Sequence, residues 1–123
     1  MLNKVILIGR LVDDPELRYT DGGTPFTIFT LAIDRNYINS SGEKETDFID
    51  IITWRRRAEN CSEFLRKGIL AAVEGRIQIV KNEKEDVTYY NPQVVANNVS
   101  FLEWPEQPGQ KESNKTERKK VST

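Results

Sequence analysis

Five stretches of the chain cluster or alternate apolar residues as β-strands do, and one stretch repeats them at helical spacing. The helical stretch is Ala58–Lys67, which Gly68 follows as a stop signal. Between the first two strands, Asp13–Gly23 contains Asp-Asp-Pro and Asp-Gly-Gly and is predicted to be a loop. The predicted strands are Asn3–Val12, Thr24–Tyr37, Asp47–Trp54, Ile69–Lys81 and Val87–Leu102.

The order of these elements indicates a small closed barrel. The turn at Asn39–Gly42 predicts that the second and third strands form an antiparallel hairpin. Gly9 interrupts the first strand, as a bulge or a bend at a barrel corner would. The chain is therefore predicted to be all-β, a five-stranded OB-fold Greek-key barrel with one α-helix between strands 3 and 4. Other small barrels and half-open sheets share this order and stay open as alternatives.

The composition changes sharply at Pro105. The stretch Pro105–Thr123 has one aliphatic residue and many charges and amides, so it cannot bury enough surface to offset its ordering entropy. We expect a folded domain over residues 1–104 and a disordered polar tail over residues 105–123. The chain has a net charge of −1, and five basic and three acidic residues give the tail +2, which leaves −3 for the domain. An acidic domain is unusual for a nucleic-acid-binding protein, but Arg55–Arg57 concentrates positive charge at one place.

The residues that are missing exclude several kinds of chemistry. The chain has no histidine and a single cysteine, Cys61, which we expect to pack the helix as a small apolar residue. It has no phosphate-binding glycine loop and no metal-ligand spacing, so we expect no enzyme, metal site or cofactor. The opening MLNKVILIGR lacks a signal-peptide cleavage pattern, and no apolar run is long enough to cross a membrane. The single cysteine also fits a reducing compartment, so a cytoplasmic location is expected.

The third predicted strand has one face that suggests binding. Alternation places Phe48, Asp50, Ile52, Trp54 and Arg56 on one side. The other side, with Ile49, Ile51, Thr53 and Arg55, reads as barrel interior. Rings beside guanidinium groups are the combination on which single strands bind, because bases stack on the rings and cations follow the phosphates.

The ends of the neighbouring strands extend this picture. Tyr37 and Arg35 close the second strand and would flank the same groove if the hairpin forms as predicted. By the same alternation Arg56 is the foremost phosphate candidate of the three arginines, while Arg55 points away and Arg57 begins the turn into the helix.

Structural roles compete with these interpretations. A lone tryptophan such as Trp54 is more often a packing residue, and three adjacent arginines are usually a solvated strand end. Tyr89 and Tyr90 are interpreted as ordinary strand residues.

Several motifs resemble those of the bacterial single-stranded DNA-binding proteins. NKVILIGRLVDDPELRY looks like the opening of that family, and TLAIDRNY, TDFIDIITWRRRAE, FLRKG and AVEGRIQ follow in its order and spacing. The resemblance covers about residues 1–103. It implies an OB-fold, usually a homotetramer, that binds single-stranded DNA without catalysis and without strong sequence preference during replication, recombination and repair.

The resemblance also assigns individual positions. Tyr37, Phe48 and Trp54 match positions where the family places base-stacking aromatic residues. Basic residues that face DNA in many members are matched here by Lys4, Arg56, Lys67 and Lys81. Arg76, within the EGR motif, is a further candidate, and Arg35 and Arg55 follow from the strand pattern alone.

Two departures from the family pattern change the expectations. At a fourth position, where many members have an aromatic residue, this chain has Asn82, within an acidic stretch over residues 82–86 that is expected to be a loop. The change predicts weaker DNA binding or a shorter footprint on DNA. The basic ending ERKKVST lacks the acidic tip by which members recruit repair and replication enzymes, so tip-dependent recruitment is not expected. An OB-fold adaptor that binds protein instead of DNA is the alternative, favoured by the charge of −3.

Overall fold

The computed structural model describes residues 1–103, and the expected tail lies outside these described residues. They form six strands and one helix. In chain order the elements are β1 (Val5–Leu11), β2 (Glu16–Tyr19), β3 (Pro25–Ile38), β4 (Lys44–Trp54), α1 (Arg55–Phe64), β5 (Leu70–Lys84) and β6 (Val87–Phe101).

Five of the six strands close into a barrel. The sheet has the strand order β1-β5-β6-β4-β3-β2, and a further pairing between β1 and β3 joins its two ends. β4 and β6 run parallel, while the other neighbours are antiparallel. The helix lies in the chain between the third and fourth strands of the barrel. This confirms the predicted OB-fold.

Two glycines allow the barrel to close. At Gly9 a Cβ atom would lie 2.7 Å from the carbonyl oxygen of Ala32, where β1 passes from β5 to β3. At Gly75 a Cβ atom would lie 2.0 Å from the carbonyl oxygen of Val95, at a register shift between β5 and β6. Gly9 therefore marks a barrel corner, as the sequence predicted, and Gly75 marks a β-bulge.

The core fills the barrel and extends under the helix. Leu31, Ile51, Val73 and Val99 come from four different strands and are almost fully buried. Cys61 of α1 is also fully buried and belongs to the same cluster, which confirms its expected packing role. Burial of each large aliphatic side chain stabilises the fold by about 1.5–3 kcal/mol. The packed core therefore holds in place the strands that carry the side chains on the outside of the barrel.

One strand was missed in the sequence. The predicted loop Asp13–Gly23 contains β2, which pairs with β3 from Glu16 opposite Ile28 to Tyr19 opposite Pro25. β2 has only four residues, too few to show the alternation of a strand. It is also flanked by Pro15 and the Asp-Gly-Gly turn, which indicate a loop.

The predicted bounds of two further elements were also wrong. The helix begins at Arg55 and not at Ala58, and it ends at Phe64 and not at Lys67. Residues 82–86 are not a loop, because β5 continues to Lys84 and a two-residue turn, Glu85-Asp86, leads into β6. Both turn residues have positive φ, of 51° and 66°, as a type I′ hairpin turn requires.

Candidate nucleic-acid interface

One continuous surface of the barrel, called here the outer face, is formed by side chains of the same parity on β3, β4, β6 and β5. Directly paired residues of adjacent strands project to the same side of a sheet. The pairs that define the outer face are Phe26–Trp54 and Ala32–Phe48 between β3 and β4, Ile52–Val95 between β4 and β6, and Val95–Arg76 between β6 and β5.

The two aromatic residues predicted on the third barrel strand both lie on the outer face. Phe48 is 66% exposed, whereas Ile51 and Thr53, on the opposite parity, are fully buried. Trp54 is 36% exposed and its ring lies 5.3 Å from that of Phe26, at an interplanar angle of 36°. Trp54 therefore both packs against a neighbour and offers ring surface to solvent, so the packing and stacking interpretations are compatible.

The space between the two rings contains a carboxylate. Asp50 lies midway along β4, and the hydroxyl of Thr30 donates a hydrogen bond of 2.9 Å to it. Phe48 and Trp54 are six positions apart in the chain, which corresponds to about 20 Å along an extended strand. Bases on the two rings would thus be several nucleotides apart, and Asp50 would disfavour a phosphate between them.

A hollow lies on the outer face beside Phe48. It has a volume of about 300 Å³ and opens between β4 and the hairpin formed by β5 and β6. Phe48 and Asp50 form one wall, and the other consists of Val80, Asn82 and the segment Asn91–Gln93. An aromatic ring beside amide side chains suits a base, since the ring supplies stacking and the amides can donate or accept hydrogen bonds.

The three consecutive arginines form the first turn of α1 and not the end of a strand. The alternation used to orient Arg55 and Arg56 therefore does not apply to them, and Arg57 lies within the helix. Arg55 has a φ of 60°, a left-handed conformation that turns the chain directly after Trp54. No acidic residue lies in this first turn, although the positive end of the helix dipole favours one. The result is a concentration of positive charge beside Trp54.

Arg76 is the basic candidate that lies on the outer face itself. It is paired with Val95 across β5 and β6, in the same row of the sheet as Ile52. Its guanidinium donates a hydrogen bond of 3.1 Å to Gln78 and has no carboxylate within ion-pair distance among residues 1–103. The cation therefore remains available to a phosphate.

Two other basic candidates are engaged by neighbouring carboxylates. Lys4 lies 3.1 Å from Glu74, and Lys81 lies 3.6 Å from Glu83. Both lysines are more than half solvent-exposed, but a phosphate could bind either one only by displacing its carboxylate partner. By strand alternation, however, Lys81 projects from the side of the hairpin opposite to Asn82 and the hollow.

Arg35 forms a stronger local arrangement. Its guanidinium donates hydrogen bonds of 3.1 and 3.0 Å to the two carboxylate oxygens of Asp47 and a further one to Glu45. The hydrogen bond and charge of Asp47 raise the pKa of Arg35, and the hydrogen bond from Arg35 lowers the pKa of Asp47 below its ordinary 3.8. Because Asp47 is adjacent to Phe48 in β4, it projects away from the outer face. The arrangement suits a structural clasp more than a phosphate contact.

Two further candidates lie away from this centre. Lys67 lies beyond the end of α1, where its backbone N–H donates a hydrogen bond to Asp14, and the ten-residue helix, about 15 Å long, lies between it and Trp54 in the chain. Tyr37 is exposed near the end of β3, in a segment where the register with β4 shifts between Asp34 and Ile38. The structure therefore places Phe48, Trp54 and Arg76 on the outer face, with the start of α1 directly after Trp54, and leaves the other candidates off this face.

Sequence reasoning missed two aromatic residues of this surface. Phe26 supports Trp54 from β3, and Tyr89 lies directly opposite Asn82 in the register of β5 and β6. The pairing of β3 with β4 could have indicated Phe26, but Tyr89 depends on the exact hairpin turn. Within residues 1–103 no group of three or more potential metal ligands is present, and no helix could span a membrane.

Comparison with solved structures supports the fold. A chain described as "Plasmodium falciparum SSB complex with ssDNA" superposes with a TM-score of 0.75 at 24% sequence identity, over 84% of this chain and 96% of that one. At this level of identity the likeness establishes the OB-fold alone.

Comparison of sequences is more specific. Single-stranded DNA-binding protein A of Bacillus subtilis is 51% identical over 84% of this chain, and the single-stranded DNA-binding protein of Caldanaerobacter subterraneus is 53% identical over the same share. The matched segment spans 60% of the Bacillus protein and 69% of the Caldanaerobacter protein. The model of the single-strand binding protein family matches residues 2–102. The chain therefore belongs to the single-strand binding protein family.

Proposed function

We propose that the chain binds single-stranded DNA without strong sequence preference and acts, without catalysis, in DNA replication, recombination and repair. The observation that carries this proposal is the pair of exposed rings, Phe48 and Trp54, on the outer face, which also carries Arg76, a residue with no ion-pair partner among residues 1–103. A duplex keeps its base faces stacked inside, so exposed rings can be used only by a strand whose bases are free.

The mechanism divides between stacking and charge. Bases stack on Phe48 and Trp54, and each such contact stabilises the complex by roughly 1–3 kcal/mol whatever the base. Arg76 and the arginines at the start of α1 bind phosphates and release counterions, so the affinity falls as salt rises. A domain charge of −3 does not prevent this, because charge near the strand matters more than the total.

The relatives support the same assignment. The Bacillus and Caldanaerobacter proteins are named for binding single-stranded DNA, and the Plasmodium chain was solved with it. Because the Bacillus and Caldanaerobacter relatives are bacterial proteins, the cytoplasm is the compartment we propose. The domain of residues 1–104 is the part to which we assign DNA binding.

We also propose that the chain assembles with copies of itself, as a homotetramer. β1 pairs with β5 along Val5–Arg10 but with β3 only at Arg10 and Leu11, so one edge of its first half has no strand partner within residues 1–103. Ile6 and Ile8, on this segment, are exposed. An unpaired strand edge with exposed apolar side chains is a common site of self-association. Light scattering after gel filtration measures the number of subunits in the assembly, and the Ile6→Asp variant should form a smaller assembly than the unaltered chain.

Tryptophan fluorescence provides the direct test of DNA binding. A Trp104→Phe variant leaves Trp54 as the only tryptophan, since the chain has two. Adding poly-dT at low salt should quench its emission as bases stack on the indole, and adding salt should reverse the quenching. A duplex of equal length should quench weakly.

Absence of quenching, together with absence of binding to a labelled dT oligonucleotide, would contradict the proposal and favour the protein-binding adaptor. Equal quenching in a Trp54→Phe variant, in which Trp104 is the remaining tryptophan of the two, would show that the signal does not report stacking on Trp54.

A further inference from the structure

The replacement of a family aromatic by Asn82 suggests that one stacking position is lost. Asn82 has a direct partner across the hairpin, however, and this partner is Tyr89. Resting on the proposed function, we propose that Tyr89 is a base-stacking residue for single-stranded DNA and provides from β6 the ring that β5 lacks.

The register between β5 and β6 places Tyr89 on the correct side. Asn82–Tyr89 and Val80–Asn91 are successive pairs of the same parity, so their side chains share one face of the hairpin. Val80, Asn82 and Asn91 line the hollow whose other wall contains Phe48. Tyr89, directly opposite Asn82, therefore lies on the face of the hairpin that lines the hollow. Directly opposed Cβ atoms lie about 5 Å apart. A ring attached to β6 at Tyr89 is therefore displaced by only about 5 Å from a ring attached to β5 at position 82.

Tyr89 has the features of a ring that is free to bind. It is 50% exposed, and among residues 1–103 its hydroxyl has no hydrogen-bond partner and its ring no aromatic neighbour. Its immobilisation by a base is inexpensive, because its side chain has only two rotatable angles.

The turn fixes this geometry. Glu85 and Asp86 form a two-residue turn closed by the pair Lys84–Val87, and this length leaves only one register for the hairpin. A slip by one residue would exchange Tyr89 for Tyr90, which is 65% exposed on the opposite side, next to Lys81. Tyr90 is thus a matched control in the same hairpin.

The acidic character of this hairpin does not exclude DNA. Alternation directs Glu83 to the side of Lys81, to which it is ion-paired, and away from the hollow. The same alternation directs Lys84 to the side of Tyr89, and Lys84 has no carboxylate within ion-pair distance among residues 1–103. A base on Tyr89 would therefore have a cation beside its phosphate.

The test compares dissociation constants for a labelled dT oligonucleotide, measured by fluorescence anisotropy on the full chain. Tyr89→Ala should weaken binding about 5- to 100-fold, the range expected for one lost stacking contact. Tyr90→Ala should change it less than about twofold, and so should Tyr89→Phe, which keeps the ring. Tyr89→Leu, which keeps apolar bulk without a π-face, should weaken binding as Tyr89→Ala does.

A second readout does not depend on affinity. A dT oligonucleotide that contains 5-iododeoxyuridine crosslinks under ultraviolet light to aromatic rings stacked on it. Mass spectrometry should find the crosslink on Tyr89 and not on Tyr90.

The outcomes separate this inference from the function on which it rests. If the unaltered chain and Tyr90→Ala bind the oligonucleotide, Phe48→Ala weakens binding and Tyr89→Ala does not, the role of Tyr89 is refuted and DNA binding stands. If the unaltered chain does not bind single-stranded DNA, both are refuted. A Tyr89→Leu variant that binds as tightly as the unaltered chain also overturns the stacking role.

Discussion

At the scale of single residues, ion pairing separates basic side chains that look equivalent in the sequence. Lys4 and Arg76 are both exposed, but Lys4 is paired with Glu74, whereas Arg76 has no carboxylate within ion-pair distance in residues 1–103. An unpaired cation loses less on binding a phosphate, since it does not have to give up a partner. Charge composition alone cannot reveal this difference.

Arg76→Ala should weaken binding to dT oligonucleotides at all base compositions and reduce the slope of log affinity against log salt by about 0.7, one phosphate contact. Lys4→Ala should leave the slope nearly unchanged. Titrations at several salt concentrations measure both variants, and equal slopes for them would contradict the distinction.

The clasp between Arg35 and Asp47 should make stability depend on pH. Arg35 lowers the pKa of Asp47 in the folded state, so the pair's stabilisation is fully present above the ordinary value of 3.8. It is lost as the pH falls through the lowered pKa of Asp47. The unaltered chain should therefore have a higher free energy of unfolding than the Asp47→Asn variant, and this difference should disappear at acidic pH. Urea unfolding at a series of pH values measures it.

Arg35→Met is the matched control for this clasp, because it removes the partner and keeps the carboxylate. The difference in free energy of unfolding between Arg35→Met and the unaltered chain should disappear in the same pH range. A difference from Asp47→Asn that is constant with pH would contradict the account.

At the scale of elements, the start of α1 combines a cost to stability with a gain in binding. Arg56 lies at the positive end of the helix dipole, where a carboxylate would be more stable. Arg56→Glu should stabilise the fold by about 0.5–1 kcal/mol and at the same time weaken DNA binding. Thermal unfolding and anisotropy measure the two effects, and opposite signs are the expected result. Changes of the same sign would mean that Arg56 has a structural role only.

The turn between β5 and β6 also reduces the stability of the fold, and replacing its residues should leave DNA binding unchanged. Glu85 and Asp86 both adopt positive φ, which costs residues other than glycine about 1 kcal/mol each. Asn-Gly is the preferred pair for this turn, so Glu85→Asn/Asp86→Gly should raise the melting temperature by several degrees. It should not weaken DNA binding, since it preserves the register that positions Tyr89. A lower melting temperature would contradict the turn assignment.

The limits of sequence reasoning are clearest at these same elements. The long strands and their hairpin were predictable because their apolar periodicity is strong, and so was the exposure of Phe48 against the burial of Ile51. The beginning of α1 was not, because Trp54 caps it without a side-chain hydrogen bond and the first turn has no acidic residue. The partner of Asn82 was not predictable either, because Glu85-Asp86 is an unusual sequence for a type I′ turn.

At the scale of the whole molecule, the barrel organises a binding surface that no single segment contains. The outer face combines side chains from β3, β4, β5 and β6, and closure of the barrel holds them in one register. Phe48 and Trp54, about 20 Å apart, should therefore contribute to binding almost independently. This predicts additive losses when both rings are removed.

The central claim is that the outer face binds single strands through Phe48 and Trp54. The most direct measurement is the dissociation constant for a dT oligonucleotide with the Phe48→Ala/Trp54→Leu variant, in which leucine preserves packing against Phe26. Tyr19→Ala is the control, because Tyr19 is similarly exposed, at 61%, but lies on β2 outside the outer face. We predict a loss of affinity of about 30-fold or more for the double variant and an unchanged value for the control. Equal affinities for the two variants would contradict the account.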